Sequence, residues 1–217
     1  MEGRIRTATA DSIEDSLGFS FDKHGVDDDE FFNELRSWLA KTNDIEYLVF
    51  AERLDTDFYE FVDEDYRIDL FKDYDISPSL ISTLKTNNRI INILGSIYAK
   101  ENNFNNCLIL NTDKNIVEAL NANIFLVKKN MIKTPPLQDG SIKGVMRKQI
   151  IEITKLLPDY ILEESSISPF ELQKADELFL TNVISGIQPI TQYRRKRFSK
   201  EVSKKILTEL NLKVKLF

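Results

Sequence analysis

The sequence predicts an α/β chain (α+β in its segregation of elements), on two observations. Short apolar runs bounded by Asn, Asp, Lys and Pro recur through the chain at strand length, and amphipathic segments with helical spacing stand between them. The clearest strand block is IVEALNANIFLVKKNMIKTPP at 116–136. Ile116-Val117, Ile124 to Val127 and Met131-Ile132 are its apolar bursts, Asn121, Asn123 and Lys128 to Asn130 its turns, and Pro135-Pro136 its end. One acid, Glu118, interrupts the first run. A carboxylate there needs a partner, because burying an unpaired charge is costly.

Composition narrows the chemistry. With 217 residues, 42% apolar and 29% charged, the chain is long enough to bury a core. The absence of a membrane-length apolar run and of an apolar leader predicts a soluble, unexported, cytoplasmic protein with no membrane partner. His24 and Cys107 are each the only residue of their type, which leaves no basis for a disulfide and almost none for a Ser-His triad or a His/Cys zinc site. Cys107 has apolar neighbours and reads as a buried thiol. The net charge of −6 is unevenly spread: residues 1–80 hold 22 acidic and 8 basic side chains, and the remainder 13 and 21. The basic part can hold an anionic ligand, but the overall acidity argues against nucleic acid as a partner.

In chain order, Asp27 to Glu30 open an amphipathic helix through Phe31, Phe32, Leu35, Trp38 and Leu39. Strands are expected at 46–50 and 66–71, and Ile76-Ser77-Pro78 marks a boundary. The expected organisation is a small amino-terminal part over 1–76 and a larger domain over 77–217. Beyond the boundary, a helix from Arg89 to Lys100 is apolar around much of its circumference and is expected to be mostly buried. A strand at 107–110, a turn at 112–115 and the block described above follow. A second helix, Val145 to Leu157, is expected to turn Val145, Met146, Gln149, Ile150, Ile153 and Leu157 inward. Next come a strand at 160–164, a short helix with capping-box residues Ser168 and Glu171, a strand at 177–181, a basic hairpin tip at 194–197 and a helix over 200–210.

On spacing alone, Lys85 reads as a surface lysine and Glu118 as an acid paired with a structural cation. Four stretches taken together point further. LKTNNR at 84–89, VEALNANIF at 117–125, IKTPPLQDGSIKGVMR at 132–147 and ADELFLTNVISGIQPI at 175–190 resemble, in this order, the large domain of the class IV aminotransferases, the fold-type IV pyridoxal-phosphate enzymes. The resemblance implies a small amino-terminal part and a larger mixed-sheet or barrel domain with flanking helices. It also implies pyridoxal 5'-phosphate as cofactor, a small amino substrate and a homodimer.

Residue by residue, the resemblance makes Lys85 the catalytic residue. It would form the Schiff base with the cofactor and move the substrate proton, helped by burial and by the cofactor itself. Glu118 would bond the pyridine nitrogen. Val145 and Met146, following Gly144 at a helix start, would offer backbone amides to the phosphate, and Asn182 and Val183 would complete the phosphate cup. Position 90, Ile here, is usually tyrosine in the branched-chain type. That difference, with GVMR and Thr181-Asn182, is closer to 4-amino-4-deoxychorismate lyase, and aminotransferases of branched-chain or D-amino acids are the alternative. The family's members are longer before Lys85, so a shortened amino-terminal domain is expected, with Arg4 and Arg6 as candidates for its phosphate arginine. A non-catalytic relative is the third reading.

Overall fold

The computed structural model describes residues 58–215. The expected helix at 27–41, the strand at 46–50, and Arg4 and Arg6 lie outside the described residues.

Period-two patterning organises two sheets. In β2 (Asn106–Asn111), Leu108 and Leu110 face one way while Cys107 and Ile109 face the other, and every residue is buried. The first sheet runs β10-β9-β1-β2-β3, with β1 (Arg67–Ile76), β3 (Ile116–Ala119), β9 (Gln192–Tyr193) and β10 (Lys196–Arg197). β1 pairs in parallel with β2 and β9, and β2 pairs antiparallel with β3. The second sheet runs β6-β5-β4-β7-β8, with β4 (Asn123–Lys128), β5 (Met131–Thr134), β6 (Ile161–Glu164), β7 (Glu177–Asn182) and β8 (Gly186–Ile190).

The sheets pack face to face. Ile68, Leu70, Leu108, Leu110 and Ile116 from the first meet Ile124, Leu126, Leu178, Leu180 and Ile190 from the second in one buried cluster. The outer face of the first sheet, with Phe71, Cys107 and Ile109, is covered by α1 (Ile90–Glu101). The outer face of the second, with Phe125 and Phe179 stacked at 5.1 Å between centroids, is covered by α2 (Val145–Leu156) and α4 (Glu201–Lys215). Glu171 Oε1 accepts the Ser168 amide at 2.9 Å ahead of α3 (Pro169–Lys174), as the capping-box spacing predicted. Buried Glu177 accepts the Val202 and Ser203 amides at 2.9 and 2.6 Å and so closes the start of α4.

Three expectations are corrected. α1 is not mostly buried: only Gly95 and Ala99 are, and Ile90, Ile93 and Ile97 are 58%, 54% and 50% exposed. As an outer layer it needs only the stripe of Ile91, Leu94 and Tyr98 against the sheet, and the opposite stripe stays uncovered. The 116–134 block is not one continuous meander, since β3 belongs to the first sheet and β4 and β5 to the second. Glu118 therefore sits where the chain leaves one sheet for the other. Val145 does not turn inward from α2 but is 69% exposed, because it occupies the first position of the helix.

Two extents also differ from expectation. β1 runs on to Ile76, on the amino-terminal side of the expected junction, and α4 runs on to Lys215. The basic tip is the expected hairpin, between β9 and β10, with Arg194 at φ 52°.

Candidate active site

One short segment, Gly140 to Gly144, ties together what the sequence kept apart. The Ile142 amide donates to Glu118 Oε2 at 2.8 Å. The next amide, Lys143, donates to the Thr83 carbonyl at 2.9 Å, fixing the 3-10 turn Ile81–Thr83 that precedes Lys85. The Ile142 carbonyl accepts Asn123 Nδ2 at 2.9 Å and the Gly144 amide at 2.8 Å. Lysine loop, acid and helix start are thus joined through consecutive backbone groups.

Gly144 caps α2 in extended conformation, at φ −68° and ψ 139°. A Cβ there would lie 2.2 Å from Asn123 Oδ1, so any side chain at this position would have to displace the Asn123 amide group. Its carbonyl accepts the Lys148 amide, and no described group accepts the amides of Val145, Met146 and Arg147. These are the unpaired donors of a helix start, where the dipole also favours negative charge. Met146 is buried beneath them and Val145 is exposed.

Across the sheet from Asn123 stands Thr181, which is 2% exposed and whose Oγ1 has no hydrogen-bond partner among the described residues. A buried hydroxyl left unpaired is costly, and this one lies on the same sheet face as the Asn123 side chain against Gly144. Asn182 begins the turn into β8. Its Oδ1 accepts the Ile184 amide at 2.9 Å, the Ser185 amide at 2.9 Å and the Ser185 hydroxyl at 3.0 Å. That oxygen is therefore engaged in shaping its own turn. The Val183 carbonyl accepts the Tyr59 hydroxyl at 3.0 Å, and the Val183 amide has no described acceptor.

Glu118 is 3% exposed. Its Oε1 lies 3.9 Å from Arg89 Nη1, which supplies the cation that spacing alone left unnamed. Burial raises its pKa from the ordinary 4.5 to about 7, against the Ile142 hydrogen bond and the charges of Arg89 and Lys85, which lower it. Lys85 is exposed rather than buried as expected, and it has no hydrogen bond or ion pair among the described residues. Its charge nonetheless acts on Glu118.

The structure thus gathers Lys85, Glu118 and the amides at Val145 and Met146 around Ile142 and Lys143, and sets the turn at Asn182 and Val183 one residue beyond Thr181. Sequence reasoning missed Arg89, Asn123, Thr181 and the Ile142 amide. Asn123, polar at the head of an apolar strand, was the one visible signal.

Two packed five-stranded sheets thus bring a loop lysine, a buried acid and a helix start with unpaired amides to one short segment. The amino-transferase class IV family model matches residues 36–193, and the chain belongs to that family. Branched-chain-amino-acid aminotransferase 1, mitochondrial, of Arabidopsis thaliana is 43% identical over 94 residues, 42% of this chain and 24% of that protein. Aminodeoxychorismate lyase of Vibrio harveyi is 29% identical over 112 residues, 52% of this chain and 41% of that protein. The crystal structure of a branched-chain aminotransferase from Thermoproteus uzoniensis, solved with norvaline, superposes with a TM-score of 0.68 at 24% identity, covering 76% of this chain and 56% of that one. The chain spans less than two thirds of each of these relatives.

Proposed function

We propose that this chain is a pyridoxal-phosphate enzyme acting on a small amino substrate, with release of pyruvate from 4-amino-4-deoxychorismate to leave 4-aminobenzoate as its reaction. The observation that carries the proposal is the joining of the Lys85 loop and Glu118 by the adjacent amides of Lys143 and Ile142, immediately before a helix start with unpaired amides. The residues fit the cofactor on independent grounds. The α2 amides and the unpaired Thr181 hydroxyl suit its phosphate, the Gly144 position is filled on one side by the Asn123 amide, and Glu118 is a buried acid on which the Lys85 charge acts.

When bound, the cofactor supplies an electron sink for the substrate carbanion. Lys85 would hold it through Nζ and would move the substrate proton there. Glu118 would hold the ring nitrogen through its carboxylate. Val145 and Met146 would offer their backbone N–H groups to the phosphate, with the Val183 amide beside the Asn182 turn completing the cup.

The lyase reading is supported by Ile90 in place of the tyrosine usual in the branched-chain type and by the match to the Vibrio lyase. The higher identity to the Arabidopsis enzyme supports a second reading, amino transfer on branched-chain or D-amino acids. A homodimer belongs to the proposal in either case.

The test is visible absorbance after purification with pyridoxal phosphate. A band from lysine-bound cofactor is expected in wild type and is absent from Lys85→Ala. No band in wild type contradicts the proposal and leaves a non-catalytic relative. Release of 4-aminobenzoate then separates the lyase from amino transfer to 2-oxo acids.

A further inference from the structure

Arg89 has no role in the scheme above, yet among the described residues it is the one cation within 4 Å of Glu118. It precedes α1 as its cap, and one nitrogen of its guanidinium faces two acceptors. Nη1 lies 3.9 Å from Glu118 Oε1 and 3.5 Å from Asn92 Oδ1, which it faces as donor. Asn92 Nδ2 in turn donates to the Leu120 carbonyl at 2.7 Å, two residues beyond the acid on the same chain segment. Arg89 and Asn92 thus fasten the start of α1 to the segment that carries Glu118. At 3.9 Å the contact with the acid is one of charge rather than a hydrogen bond.

The surroundings of Glu118 leave few other sources of charge. From the segment 140–144 it receives only the Ile142 amide, and its cross-strand partner on β2 is Ile109, which is apolar. Among the described residues, the charged groups acting on it are Arg89 at the start of α1 and Lys85 in the loop before it. Lys85 is the amine given up to the cofactor in the proposed function, so its positive charge is not a permanent part of the site. Arg89 is permanent, because a guanidinium does not lose its proton in this range.

We propose that Arg89 is a positioning residue that keeps the Glu118 carboxylate ionised and oriented, with the Ile142 amide fixing one oxygen and the guanidinium facing the other. The role in cofactor binding rests on Glu118 as the partner of the ring nitrogen, whereas the coupling between Arg89 and Glu118 does not. Near neutral pH the balance at Glu118 is narrow, because burial opposes the two cations and the amide. Without Arg89 the balance tips toward the protonated acid, which cannot offset a positive ring.

The experiment follows the Glu118 side-chain carboxyl by carbon NMR in cofactor-free protein labelled at glutamate, with the resonance assigned through Glu118→Gln. Arg89→Gln raises the titration midpoint by on the order of 1 pH unit, as expected for loss of an opposite charge at this range. Arg89→Lys restores part of the shift, which a merely structural role would not do. If Arg89→Gln does not fold, Asn92→Ala releases the guanidinium from its tether and likewise raises the midpoint. An unchanged midpoint in the variant that folds overturns the proposal. A wild type that binds no pyridoxal phosphate would defeat the proposed function while leaving the midpoint result standing, so the two failures are distinguishable.

Discussion

At Glu118, a carboxylate occupies a place otherwise filled by apolar side chains, and its ionisation is set by competition. Burial lifts its pKa to about 7, so between the ordinary 4.5 and about 7 the folded protein holds a proton that the unfolded chain has released. Folding therefore binds a proton in that window, and the acid's contribution to stability becomes less favourable as pH rises through it, by on the order of 3 kcal/mol in total. Glu118→Gln keeps an acceptor for the Ile142 amide and removes the titration. Urea unfolding of the cofactor-free proteins at pH 5 and pH 8 is expected to show the variant's stability falling less than that of wild type, and equal falls would contradict this. Thr181 makes a complementary case. Its unpaired buried hydroxyl is removed without change of shape in Thr181→Val, which is expected to be neutral or stabilising by about 1 kcal/mol without cofactor. Titration with pyridoxal phosphate is expected to show weaker binding by that variant, and unchanged affinity would remove Thr181 from the phosphate site.

At the level of elements, the site depends on how closely the start of α2 approaches β4. The Asn123 side chain fills the space where a Cβ on Gly144 would stand. Gly144→Ala must displace Asn123 and its bond to the Ile142 carbonyl, and is expected to cost about 1–3 kcal/mol in thermal or urea unfolding, as overpacking typically does. Because Ile142 also donates to Glu118, the same change should lower cofactor affinity. A variant with wild-type stability and affinity would show that the approach is not constrained. Elements of this kind were legible from sequence where local patterning decides them: the alternation in β4, the capping residues of α3 and the glycine before α2. The exposed stripe of α1 was not, because Ile90, Ile93 and Ile97 have the side chains of a buried helix, and only its place as an outer layer leaves them uncovered.

For the molecule as a whole, the two sheets and their helix layers follow from the apolar runs, but the crossing between sheets at Leu120 to Ala122 does not. Residues 116–134 have the pattern of a single meander, and no local signal tells a turn that pairs its strands from one that parts them. That crossing brings Glu118 beside both the Lys85 loop and α2, so Lys85 and Glu118 were legible as candidates only through the order of motifs, while Arg89 and the Ile142 amide required the fold. The proposed homodimer is checked by sedimentation, with a mass twice 25.2 kDa expected and a monomer at working concentration contradicting it. None of the described helices is long and apolar enough to cross a membrane.

The most direct measurement of the central claim is chemical. Pyridoxal phosphate is added to the purified protein, the linkage is fixed by borohydride reduction, and the modified peptide is located by mass spectrometry. Modification at Lys85, reduced in Glu118→Gln, is the predicted result. Modification at other lysines with Lys85 untouched, or none at all, would contradict the assignment of this site.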